Sequence, residues 1–160
     1  MFTITVFIIV TIILNFSIIL PIKLADDEIE IQKNKLRVAA MENGIGNPGN
    51  KILKAVEMAS RQTDLSQEFL LSLIYSESSF KKNALSKKNY KGLLQIPQNV
   101  PYEDANILIG ARIFLEKLAI TKGDYRKAII LYKGWPLNHP KGKKEADKVI
   151  KLTVNIKEKL

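Results

Sequence analysis

Residues 69–77 constrain this chain more than any other stretch. Phe69, Leu70, Leu71, Leu73, Ile74 and Tyr75 give a run of apolar residues that fits a buried helix, and the run ends in a carboxylate, Glu77. Asp64 is placed to cap the start of this helix, with Gln67 three residues on in the capping-box position. Glu77 follows Leu70 by seven residues, Leu73 by four and Ile74 by three, which puts its carboxylate on the face of three large apolar side chains. Desolvation there disfavours the anion, and so do the unsatisfied carbonyls of a last helical turn. A carboxylic acid that keeps its proton near neutral pH is what general acid catalysis uses. Taken alone, the same spacing also fits a solvated Glu at a frayed helix end.

Composition removes several kinds of chemistry. The chain has no Cys and one His, His139, in a Pro/Lys/Gly-rich turn. Disulfides, a thiolate metal site, a His-based zinc site and a Ser-His-Asp triad therefore lack the residues to build them, and neither metal nor cofactor is expected. The net charge is +9, and residues 44–160 alone reach +10, with 21 Lys/Arg against 11 Asp/Glu. Such a domain should adhere to polyanions, of which peptidoglycan, teichoic acid, anionic lipid and nucleic acid are examples. The lysines are scattered, without an aromatic-interleaved ridge or zinc-finger spacing, so a specific nucleic-acid partner is the weaker reading.

Residues 2–22 carry no formal charge and are dominated by Ile, Val, Leu and Phe. As a helix they span roughly 30 Å, the thickness of a bilayer core. A retained transmembrane signal-anchor is expected for 1–22. A cleaved signal peptide is the alternative, but cleavage after Ala25 would put Lys23 where a small residue is wanted. The rest of the chain is then expected on the extracytoplasmic side, membrane-anchored, or at a virion membrane. Residues 23–48 read as a juxtamembrane spacer, helical around 28–41, ending in Gly44, Gly46, Pro48 and Gly49.

The domain proper is expected over 49–160 and all-α, with at most a minor β-hairpin. Asn50 is a plausible cap for a helix carrying Ile52, Ala55, Val56 and Ala59. Residues 81–91 hold five Lys without periodicity and read as a loop. Gly92 suits a tight turn, and Leu93, Leu94 and Ile96 suit the core. Residues 103–120 are apolar all round and read as a central, buried helix, in which Gly110 would admit another helix closely. Asp124 is placed to cap a helix through Tyr132; Pro136, Pro140 and Gly142 break it, and an amphipathic helix runs from about Glu145.

Four segments, read in order, resemble the lytic transglycosylase family of the soluble lytic transglycosylase type, which has a lysozyme-like fold. Glu77-Ser78-Ser79-Phe80 with Ala84 and Ser86 matches its Glu-Ser-x-Phe and Ala-x-Ser; Gly92-Leu93-Leu94-Gln95 resembles its Gly-Leu-Met-Gln. Asn106-Ile107 with Gly110 resembles its Asn-Ile-x-x-Gly helix, and Ala128 to Tyr132 with Gly134 its Ala-x-x-x-Tyr-Asn-x-Gly segment. The resemblance implies that Glu77 is the catalytic acid. It also implies that Ser78, Ser86, Gln95, Asn106 and Tyr132 border the substrate, with the Tyr132 hydroxyl directed at Glu77. Gln95 and Asn106 equally suit backbone hydrogen bonding, Tyr132 a core position, and Trp135 either a sugar face or the core.

The chain departs from the family pattern at Asn89-Tyr90-Lys91, where Gly-Ala is usual, in a short 95–106 connection, and at Lys133, where Asn usually follows the Tyr. The activity implied is lytic cleavage of the MurNAc-GlcNAc β-1,4 bond of peptidoglycan glycan strands, with formation of a 1,6-anhydro end and local opening of the wall. One carboxyl serves both proton transfers, so the paired-carboxylate rule for glycoside hydrolysis need not hold. If a second acid positions a water, with Glu103 and Asp104 the nearest candidates, the enzyme is instead a hydrolytic muramidase. A non-catalytic, membrane-tethered wall-binding or assembly protein is the reading from another class, supported by Lys133 and the altered Asn89-Tyr90-Lys91 stretch. Small anchored members of such a family suit a secretion, conjugation or phage-entry apparatus.

Overall fold

The computed structural model describes residues 25–97 and 100–160. The chain divides into two compact units, the first 35 residues and Leu36–Leu160. The membrane-anchor expectation for 1–22 lies outside the described residues, and among those described no helix is long and apolar enough to cross a membrane. Residues 25–42 are helical, α1. Within the first unit Lys33 pairs with Glu30 one turn earlier.

The second unit is all-α among the described residues. Leu36, Ala39, Ala40 and Ile45 are buried in its core, so residues 36–48, read from the sequence as spacer, contribute to the packed unit. Five helices follow: α2 (Gly49–Thr63), α3 (Gln67–Ser78), α4 (Glu103–Ile120), α5 (Tyr125–Tyr132) and α6 (Pro140–Lys157). Helix α2 packs on α3 and α4, α3 on α6, and α5 on α4 and α6.

The central helix is α3. Phe69, Leu70, Leu71, Leu73 and Ile74 are buried, the last four completely, and each such side chain contributes about 1.5–3 kcal/mol relative to exposure. Ser72 sits among them at no cost in unpaired polarity, because its hydroxyl donates to the Glu68 carbonyl at 2.8 Å. Helix α4 has the bounds its sequence suggests, but it is buried on one stripe only: Asn106, Ile107, Gly110, Ala111 and Phe114. Phe114 joins three helices, its ring centroid 4.6 Å from Phe69, 5.6 Å from Tyr125 and 6.0 Å from Tyr132.

Local capping differs from the sequence reading at three places. Ser66, not Asp64, caps α3, its hydroxyl accepting from the Phe69 amide; Asp64 closes α2 in the left-handed region. Asn50 lies inside the first turn of α2, and its side-chain oxygen accepts from Arg37. Pro140 begins α6 instead of breaking a helix, which fits proline at a first helical position, and His139 caps that end through Nδ1.

No strand is present among the described residues. Residues 84–96 fold back on themselves through two isolated bridges, Leu85 with Lys91 and Lys91 with Ile96. This irregular segment buries Leu93, Leu94 and Ile96 beneath it. Gly92 has φ +84°, and a Cβ there would lie 2.2 Å from Asn106 Nδ2. The closeness has a purpose: Asn106 accepts from the Leu94 amide at 2.9 Å and donates to the Lys91 carbonyl at 3.0 Å, tying the segment to α4. Gly110 meets the Leu94 side chain rather than another helix; an added Cβ would lie 2.5 Å from Leu94 Cβ.

Candidate active site

Helix α3 delivers Glu77 at its last turn. The two residues after Ser78, Ser79 and Phe80, both adopt positive φ, 49° and 62°, and end the helix abruptly. Neither is glycine, and left-handed backbone in such residues costs roughly 1–3 kcal/mol each, a strain that clusters at functional sites. The Phe80 ring packs 5.9 Å from Tyr75, which helps hold the turn.

Glu77 opens into a cleft of about 840 Å³. Segment 86–97 forms one wall with Ser86, Lys87, Lys88, Tyr90, Gln95 and Pro97; α4 contributes Ile113, Glu116 and Lys117; the end of α5 and its following turn contribute Leu131 to Trp135. The carboxyl is only partly wet. Its side chain is 13% exposed, and Oε1 is fully buried. Lys133 Nζ stands 2.7 Å from Oε1, itself 9% exposed, and reaches the Ser76 carbonyl at 3.4 Å. No donor is aligned on Oε1 as a hydrogen bond, so the Lys133 contact is a charge contact at close range. Burial of this oxygen is as its apolar helical face predicts. Its cationic partner lies 56 positions along the chain, where the spacing of α3 gives no notice of it.

Tyr132 ends α5 and does not hydrogen-bond Glu77. Its hydroxyl donates to the Leu94 carbonyl at 2.7 Å, linking α5 to the 84–96 segment. Burial, and then the nearby Glu77 charge, push its phenol well above the usual value of 10.0. The folded state thus holds this proton more tightly than the unfolded chain. That contribution is complete below pH 10 and is lost as the pH climbs through the folded value. Alkaline unfolding followed by circular dichroism should therefore steepen above pH 10, and Tyr132→Phe should flatten that dependence while costing about 1–2 kcal/mol at neutral pH through the unpaired Leu94 carbonyl.

The other residues singled out by resemblance divide by position. Ser86 and Gln95 line the cleft with Glu77. Gln95 is held there by two bonds from Nε2, to the carbonyls of Ala84 at 3.1 Å and Gly92 at 2.8 Å, and Ser86 accepts from the Tyr90 amide. Ser78 is buried and donates back to the Ile74 carbonyl at 3.0 Å. Asn106 is buried as the tie between α4 and Lys91–Leu94, and borders a different cavity, of about 450 Å³, with Lys51, Lys82, Lys91 and Glu103. Glu77 does not line that cavity.

Sequence reading placed the nearest second acids at Glu103 and Asp104, and neither lines the Glu77 cleft. Glu116 does. Its signal was its position one turn after Ile113, on the side of α4 that also carries Lys117 into the cleft. Trp135 also borders the cleft, with His139 stacked on its ring at 4.3 Å and Lys141 Nζ 5.5 Å from its centroid. Gly142 lets α6 approach that indole, since a Cβ there would lie 2.8 Å from Trp135 Cβ. Among the described residues no cluster of His, Cys, Asp or Glu could hold a metal ion.

One family model, the transglycosylase SLT domain, matches residues 54–153, a span that contains the whole of this cleft. No curated protein and no solved structure matches the chain.

Proposed function

Since the chain belongs to the transglycosylase SLT family, we propose that it is a peptidoglycan lytic transglycosylase in which Glu77 performs both proton transfers. The observation that supports this most is a carboxyl with one oxygen buried and its side chain lining an 840 Å³ cleft, on the helix end that matches the family's Glu-Ser-x-Phe segment. Protonated Glu77 gives its proton to the oxygen linking N-acetylmuramic acid to N-acetylglucosamine. The C1–oxygen bond breaks, and the muramic C6 hydroxyl closes on C1. Its proton returns to Glu77, so the acid is restored and no water is consumed. Ser86 and Gln95 border the path of the strand, and Trp135 offers an apolar wall to a sugar ring. Glycan strands digested with the protein should release muropeptides with anhydro ends by mass spectrometry.

A hydrolytic muramidase is the second reading, and Glu116 favours it, because it places a second carboxylate in the same cleft. Reducing ends among the products, abolished by Glu116→Gln, would establish that reading instead. The apolar 2–22 stretch supports tethering at a membrane with the cleft on the extracytoplasmic side, where the substrate lies. A wall-opening role beside a secretion, conjugation or phage-entry apparatus is consistent with a domain of this size.

A further inference from the structure

The ion pair lining the cleft poses a chemical problem. Glu77 Oε1 is held 2.7 Å from an ammonium, and a carboxyl engaged there is not free to meet a glycosidic oxygen. Lys133 cannot turn away cheaply, because it is almost buried and its other contact is the Ser76 carbonyl. Something entering the cleft must take over the ammonium. The lining shows what kind of group this is: Lys87, Lys88, Lys117 and Lys133 face Glu77 and Glu116, leaving the cleft cationic. Lys88 Nζ also lies 3.4 Å from the position of a Cβ on Gly134, the residue after Lys133.

We propose that Lys133 is the receptor for a carboxylate carried by the glycan, and that this carboxylate frees Glu77 to act as an acid. The inference rests on the transglycosylase reading. In the resting protein Lys133 pairs with Glu77. A substrate carboxylate close to the scissile bond replaces Glu77 at the ammonium. Released from Lys133, Glu77 meets the glycosidic oxygen as its acid and receives the C6 hydroxyl proton as the ring closes. Glycans lacking that carboxylate bind but leave Glu77 paired. Lys133 is thus a specificity residue, selecting acidic strands over neutral chitin-like ones. Two parts of peptidoglycan carry such a group: the lactyl side of a stripped strand and the peptide stem of an intact one.

The test compares four glycans on the full chain: stripped strands with free lactyl carboxylates, the same strands amidated, peptide-bearing strands, and neutral N-acetylglucosamine oligomers. Binding is read by calorimetry on Glu77→Gln protein, in which Lys133 has lost its charged partner, and turnover by mass spectrometry on the parent and on Lys133→Asn and Lys133→Arg. Expected are about tenfold tighter binding of carboxylated than of amidated or neutral strands, a ratio brought close to one in a Glu77→Gln, Lys133→Asn double variant. Lys133→Arg should keep the parent's substrate preference in kcat, whereas Lys133→Asn should lose it. A preference confined to stripped strands identifies the lactyl group, and one confined to peptide-bearing strands the stem. Equal binding of all four glycans, or a preference untouched by Lys133→Asn, overturns the proposal. If the parent cleaves nothing yet binds with this preference, the carboxylate receptor stands and the catalytic reading fails.

Discussion

Glu77→Gln should abolish cleavage of peptidoglycan strands, with turnover reduced roughly 10²- to 10⁴-fold, the range for removing a general acid. The change is nearly isosteric, so the loss is chemical and not a matter of shape. An amide cannot give up a proton to the glycosidic oxygen, nor accept one from the C6 hydroxyl. The protein should still fold. The amide keeps a neutral oxygen near Lys133, and the Ser76 carbonyl stays within 3.4 Å, but a nearly buried ammonium loses its charged partner, at a cost of about 1–3 kcal/mol. Thermal melts of parent and variant check that point, and kinetics on purified strands check the first. A variant that folds and cleaves at the parent's rate would remove Glu77 from the mechanism.

The largest stability effect is expected at Gly92, outside the catalytic group. Gly92→Ala forces a side chain into left-handed backbone, at about 1–2 kcal/mol. It also places a methyl 2.2 Å from Asn106 Nδ2, where there is no room for it. Asn106 must shift, and its bonds to the Leu94 amide and the Lys91 carbonyl are then broken or stretched. Each buried group left unpaired costs about 1–3 kcal/mol. The sum exceeds about 3 kcal/mol and should lower the melting temperature by roughly 10 °C. Activity should fall beyond what the melt explains, because the same segment carries Gln95 and the Leu94 carbonyl that holds Tyr132.

The helices were largely legible because their signals are local. The burial of 69–74, the bounds of 103–120 and the Asp124 cap on α5, which accepts from the Lys127 amide, all follow from short-range spacing. Core positions in 93–96 were legible for the same reason. The caps at Ser66 and His139 were harder, since several Ser, Asp, Asn and Pro residues compete within a few positions and tertiary packing chooses among them. The cleft was legible only in part. Glu77, Ser86 and Gln95 meet there, yet the partners that define its electrostatics are long-range: Lys133 on Glu77, and Glu116 in the same cleft. Tyr132 shows the same limit. Its helix was clear, but the direction of its hydroxyl depends on a carbonyl 38 residues away. The structure also draws 36–48 into the core of the second unit, where Leu36, Ala39 and Ala40 are separated in sequence from the residues they pack against.

The most direct measurement is the fate of water oxygen during cleavage. Strands digested by the full chain in water labelled with heavy oxygen should yield muramic ends that carry no label and are lighter by one water than hydrolytic ends. Labelled reducing ends would show that a water, not the C6 hydroxyl, attacks C1, and would contradict an account in which Glu77 alone serves both proton transfers.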